Sequence, residues 1–236
     1  MGNFDKKIEI FRKALIDSGG YVKVIEGLQN TLIIAIAGLV IGIIIGTLIA
    51  TARVVPKYKL LPRILNSICS VYVAFFRGTP MMVQLLLFYY VILPILDIKI
   101  PSVQVAMITF GFNSGAYISE IMRSGIQSVD SGQLEASRAM GLGFAPSMIK
   151  IVIPQAVKNI LPTLGNEFIS LIKETSVVSF IGAANLFTAF NYMGSNSYEF
   201  MVPYITMAII YIAIVLIITA AIRLMERSLG KSDRRN

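Results

Sequence analysis

The sequence predicts an all-α membrane protein of five transmembrane helices, N-terminus outside and C-terminus in the cytoplasm. Apolar residues make up 56% of the chain, and several apolar runs approach the roughly 20 residues that a helix needs to cross a hydrocarbon layer about 30 Å thick. The Lys and Arg residues behind the formal charge of +8 gather at the ends of those runs instead of forming one patch. Charge therefore orients the chain in a bilayer and argues against a nucleic-acid partner.

The elements follow in order. Residues 1–26 form an N-terminal segment that lacks the compact apolar core and small-residue cleavage site of a secretory signal. Within it, residues 4–15 read as an interfacial amphipathic helix. The first span covers residues 28–52, where Gly38, Gly42 and Gly46 recur on one helix face as a packing seam. The second covers residues 64–93 and is interrupted. Its first part, Ile64 to Phe76, rises about 20 Å, so Arg77 lies well across from the cytoplasmic end. Gly78 and Pro80 then loosen the helix, and such a break exposes backbone groups near the midplane. Arg77 and Thr79 read equally as holders of a carboxylate and as supports of the break. Gln84, Tyr89 and Tyr90 read as packing or path lining, and Cys69, the only cysteine, as a space-filler.

The third span, residues 103–122, carries the polar stripe Thr109, Asn113, Tyr117 and Glu120. Asn113 both donates and accepts near mid-span, which suits a zwitterion, whereas Glu120 is spaced to pair with Arg123. The fourth span, residues 155–190, is interrupted, and Thr163, Asn166, Glu167, Ser170 and Glu174 share one of its faces. A charge at a helix centre costs about 2.5–3.5 kcal/mol on insertion scales, so Glu167 needs water, a cation or a proton. It reads either as a partner of Arg77 or Lys173, or as a carboxylate that faces a path and meets a cationic cargo. A basic side chain is the preferred cargo group, although the α-ammonium common to all amino acids would serve as well. The fifth span covers residues 202–225 and a short tail, 230–236, follows. One domain, residues 27–229, holds all the spans. Gly230-Lys231-Ser232 imitates the end of a phosphate loop, but Met225 stands where that loop needs glycine, so ATP is not bound in that way. With no histidine in the chain, an imidazole relay or His-based metal site is excluded, and no cofactor or metal is expected on this chain.

Charge orders the loops. Arg53, Lys57, Lys59 and Arg63 follow the first span; Arg123, Arg138, Lys150 and Lys158 lie between the third and fourth; Arg223, Arg227, Lys231, Arg234 and Arg235 follow the fifth. These regions are expected in the cytoplasm, since the loop around residues 94–101 carries only Lys99 and residues 191–201 carry no Lys or Arg.

One soluble-looking stretch interrupts this apolar chain, Asp130-Ser131-Gly132-Gln133-Leu134-Glu135-Ala136-Ser137-Arg138-Ala139-Met140-Gly141. Asp130 is placed to cap a helix over about residues 131–141, Gln133 to return a capping-box bond, and Gly141 to stop it in the left-handed region. By spacing alone the helix is either a plain connector or a docking plug that offers Gln133, Glu135, Ala136, Ser137, Ala139, Met140 and Gly141. Glu135-Ala136-Ser137, Gly141 and Ile153-Pro154 resemble the EAA signature of the membrane subunits of ATP-binding-cassette importers. Phe76-Arg77-Gly78-Thr79-Pro80 with Val83-Gln84, the run Ala116 to Ile126, and Asn166 through Lys173-Glu174-Thr175-Ser176 resemble the polar amino-acid branch of that family. Ser137 stands where a second alanine is usual and Asp130 where proline is common.

The resemblance implies a type I importer permease fold and a coupling helix that sits in a cleft of a cytoplasmic ATPase subunit dimer. It also implies a second permease subunit, identical or a sister chain, and an extracytoplasmic binding protein that delivers the amino acid. ATP and Mg would then be bound in the partner ATPase. The substrate path would be lined by Glu167, Asn166, Thr163, Ser170, Asn113, Tyr117, Arg77 and Thr79. Two other readings stay open here: a carrier driven by an ion gradient with Glu167 as its coupling carboxylate, and, more remotely, a membrane enzyme using that carboxylate as a base.

Overall fold

A computed structural model describes residues 3–55, 58 and 60–233, with side chains over 4–55, 58 and 60–227. Lys57, Lys59, Arg234 and Arg235, used above to orient the chain, and the side chains of Lys231 and Ser232, lie outside that description. The protein is 88% helix, with no strand among the described residues.

Helix α1 (Asn3–Arg12) runs on through a π-helical turn (Lys13–Asp17) to Gly19, whose φ of 70° turns the chain into α2 (Gly20–Val54). After α3 (Leu60–Gly78) comes α4 (Met81–Ile95), which is π-helical over Phe88–Ile92, and then α5 (Ser102–Gln127). The short α6 (Ser131–Ala139) precedes α7 (Phe144–Ile181), made of a π-helical turn at Met148–Val152, a regular stretch at Ile153–Glu174 and a 3-10 turn at Thr175–Ile181. Helices α8 (Leu186–Ser197) and α9 (Met201–Asp233) complete the chain.

By length and composition α2, α3 and α9 are able to cross a membrane, and α7 with α8, bent by 53° at their junction, adds a fourth crossing if the pair counts as one. The sequence reading counted five. The difference is α5, which has the length, 26 residues, but carries Thr109, Asn113, Ser114, Ser119 and Glu120 along it. Pro80 and Gly78 end α3 and begin α4 where the interruption was expected.

The chain packs as two compact units. The first is built from residues 1–38, 80–110 and 169–218. Its core joins Phe11 of α1 to Leu186, Phe190 and Met193 of α8, with the Phe11 and Phe190 rings stacked 6.4 Å apart. Phe11 of α1 is therefore buried here against protein, whereas Phe4, Ile8 and Ile10 stay exposed, and the Lys7 ammonium pairs with Glu199 at 3.0 Å. Asn185 caps α8 through a full capping box: its side chain accepts from Thr188 N (2.7 Å), and the Thr188 hydroxyl accepts from Asn185 N (2.8 Å). The Asn185 amide also donates to Thr175 O at 2.7 Å, which ties the cap to the turn that ends α7. Gly27 of α2 lies against the Asn185 carbonyl so closely that any Cβ would strike backbone.

The second unit comprises residues 39–79, 111–168 and 219–236. Here α2 and α5 interlock through small residues on both sides. A Cβ on Gly42 or Gly46 would stand 2.8 Å from Ser114 or Ile118, and one on Gly115 would stand 2.8 Å from Ile45. The glycine seam is thus a two-way close approach, and α5 supplies half of it. Beside it Phe76 packs on Tyr72 (4.6 Å) and Phe112 (6.2 Å), and the Tyr72 hydroxyl donates to Phe112 O.

Candidate functional site

Helix α6 is a largely exposed helix of the second unit. Asp130 caps it, its carboxylate accepting from Gly132 N at 2.7 Å. The carboxylate bonds the second helical N–H and not the third, and the return bond expected from Gln133 to the Asp130 N–H is not made. Instead the Gln133 side chain is exposed. The C-terminal end has the bond pattern that a left-handed glycine permits: Gly141 has φ 89°, Gly141 N donates to Arg138 O (3.0 Å) and Leu142 N to Ser137 O (3.2 Å).

Glu135, Ala136, Ala139, Met140 and Gly141 are exposed, Met140 at 76% of its surface. Ser137 departs from the expectation. It is 1% exposed and its hydroxyl donates to Leu134 O at 2.8 Å, so it faces inward and is not offered to a partner. Leu134, half-buried, overhangs a cavity of about 330 Å³ walled by Val54, Ile126, Val129, Phe144 and Met148. The seat beneath α6 is therefore mainly apolar, with Gln127, Asp130 and Ser131 also lining it.

Two polar groupings lie in the same unit. Glu167 of α7 is half-buried and accepts a 3.0 Å hydrogen bond from the Ser114 hydroxyl of α5. Thr163 and Asn166, on the same α7 face, are exposed, and Ser170, half-buried, belongs to the first unit. The Arg77 guanidinium lies 5.5 Å from the centroid of the Tyr117 ring, a cation–π stack between two exposed side chains. Thr79 donates back to Phe75 O at 2.8 Å.

Asn113 is 4% exposed and its amide donates to Phe76 O at 3.3 Å. In an unbroken helix that carbonyl would accept from the residue four positions on, which is Pro80, and proline has no N–H. Asn113 therefore supplies a donor that the break removes. The structure thus gives it a part in supporting the break, beside the zwitterion role expected from the sequence. Glu120 accepts from Arg123 (2.7 and 2.9 Å), as its spacing suggested, and also from Arg53 of α2. Sequence reasoning missed Arg53 and Ser114 as partners, since periodicity orders residues on one helix and does not say what faces them from the next. Among the described residues no group of three or more Cys, Asp or Glu side chains is placed to hold a metal ion.

Residues 38–231 match the family described as binding-protein-dependent transport system inner membrane component. The arginine transport system permease protein ArtQ of Bacillus subtilis is 35% identical over 89% of this chain and 94% of its own length. The Rickettsia bellii protein GlnP, assigned to glutamine transport as a permease, is 35% identical over 87% and 92%. The crystal structure of an amino acid ABC transporter with histidines contains a chain that superposes with a TM-score of 0.82 at 38% identity, over 91% of this chain and 97% of that one.

Proposed function

The chain belongs to the family of binding-protein-dependent transport system inner membrane components, and from that premise we propose that it carries a basic amino acid and is driven through α6. It is a multi-pass inner-membrane protein and the permease subunit of an amino-acid importer of the ATP-binding-cassette type. In the proposal, a cytoplasmic ATPase dimer that binds ATP and Mg grips the exposed acid and small residues of α6. Two permease chains, identical or sister, enclose the path, and an extracytoplasmic binding protein loads it. The five-crossing count is kept by letting α5 cross with its polar stripe turned away from lipid. The N-terminus is then outside, α1 lies along the outer interface and the C-terminus is cytoplasmic.

The observation that carries the docking reading is an ordered, well-capped helix whose acid Glu135 and neighbours Ala136, Ala139 and Met140 are all free on its surface. The cargo reading rests on Glu167. It is a half-buried carboxylate on the polar face of α7 that accepts from the Ser114 hydroxyl, and a carboxylate on such a face suits the cationic group of an amino acid through charge-assisted hydrogen bonds. Arg77 on Tyr117, with Thr79 at the break, offers a positive group for an α-carboxylate. Thr163, Asn166 and Ser170 extend the polar face. The ion-gradient carrier is not favoured, because the family matched is one that depends on a binding protein.

The test is uptake of a labelled amino-acid panel by vesicles holding the complete complex with ATP inside. Arginine, lysine or histidine is expected to accumulate in preference to glutamine and glutamate. Preference for glutamine would overturn the cargo reading and leave the permease assignment intact.

A further inference from the structure

We propose that Glu120 is a positioning residue for transport: one carboxylate ties α2 to α5 just ahead of α6, so that a displacement of α6 moves both helices together. Both of its oxygens are used. Oε1 meets the Arg53 guanidinium near the end of α2, while Oε2 accepts from Arg123 Nε and Nη2 at 2.9 and 2.7 Å. Arg123 passes the network on, its Nη1 donating to Gln127 Oε1 at 2.8 Å, at the last residue of α5. Gln127 and Val54, the residue after Arg53, both wall the cavity under Leu134 of α6. The clamp and the seat of α6 thus share neighbours on both helices.

Above the clamp the same two helices are locked by the seam of Gly42, Gly46, Gly111 and Gly115, and at the level of Ser114 α5 holds Glu167. Ser114 and Glu120 are about 9 Å apart along the helix axis. Helix α5 is therefore a short rod with the Glu167 bond at one level, the Arg53 tie two turns below, and α6 beyond. Without the tie, α2 and α5 are joined by the glycine seam and by the weak bond from the Thr47 hydroxyl to Met122 Sδ at 3.3 Å, and such contacts resist sliding less than a charged, hydrogen-bonded pair. A pair at this depth is costly to break, because its partners are left charged and half-buried.

The inference rests on the reading that α6 seats the ATPase, and the experiment separates the two. The complete complex is reconstituted as unaltered protein and as Glu120→Gln, Arg53→Gln, Arg123→Gln and the swap Arg53→Glu with Glu120→Arg. ATPase co-purification, ATP hydrolysis and uptake of labelled arginine and glutamine are measured on each. Glu120→Gln and Arg53→Gln are expected to keep the ATPase bound and hydrolysing within about twofold, while uptake per ATP falls about tenfold. Arg123→Gln, which leaves the tie between helices in place, should change that ratio less than about threefold. The swap, again one acid with two guanidiniums, should recover most of it. Parallel loss of hydrolysis and uptake, an unchanged ratio in Arg53→Gln, or no recovery in the swap overturns the proposal. Failure of the unaltered complex to retain its ATPase would instead overturn the docking reading.

Discussion

Glu167 sits on α7 within hydrogen-bond reach of Ser114 and no more than half-buried, so removing its charge while keeping its shape isolates electrostatics from packing. Glu167→Gln is expected to lower arginine uptake about tenfold, the scale of one charged hydrogen bond, and glutamine uptake by much less. Competition between the two labelled amino acids in the same vesicles checks this; equal losses would mean that the carboxylate reads no side-chain charge. The periodic face of Thr163, Asn166 and Glu167 was legible in the sequence because a helix orders its own side chains. The part that Asn113 plays was not, because the Phe76 carbonyl to which it donates belongs to another helix, and the proline that cannot donate there lies four residues further on.

Two elements reward separate tests. Helix α6 owes its stop to Gly141 at φ 89°, where a side chain costs about 1–2 kcal/mol. Gly141→Ala is therefore expected to loosen the last turn and weaken ATPase co-purification, and Glu135→Lys, which reverses the exposed charge, to abolish it. Pull-down of the ATPase from solubilised membranes decides both. The limits of α6 were readable because Asp130 and Gly141 act on their own backbone, whereas the inward turn of Ser137 was hidden, since it depends on what lies beneath. Helix α1 is pinned by Lys7 to Glu199, and that hydrogen bond, aided by the Met201 N–H, holds the Glu199 carboxyl below the usual carboxylate range. A lowered folded-state pKa makes the contribution fully present above the ordinary range and lost as pH falls through the lowered value. Protease cleavage after Lys6 or Arg12 should accordingly increase on acidification below that range, and Glu199→Gln should show the raised cleavage already at neutral pH.

For the whole molecule the testable quantity is orientation. In a Cys69→Ser background, Ser195→Cys is expected to react with an impermeant maleimide on intact cells and Ala145→Cys only after permeabilisation; the reverse pattern would invert the topology. Both positions are exposed. Composition revealed a polytopic membrane protein because apolar length is additive along a chain. An average of length and hydropathy passes over α5, which the sequence reading counts as the third span, because Asn113, Ser114 and Glu120 lower the average while meeting partners on α3, α7 and α2, namely the Phe76 carbonyl, Glu167 and Arg53. The amide of Asn113 also changes what the proline does. A broken helix ordinarily works as a loose joint, yet this elbow is braced from outside. Restoring an N–H with Pro80→Ala ought to make the brace expendable, so that Asn113→Leu, costing about 1–3 kcal/mol alone, is nearly silent on top of it in thermal melting.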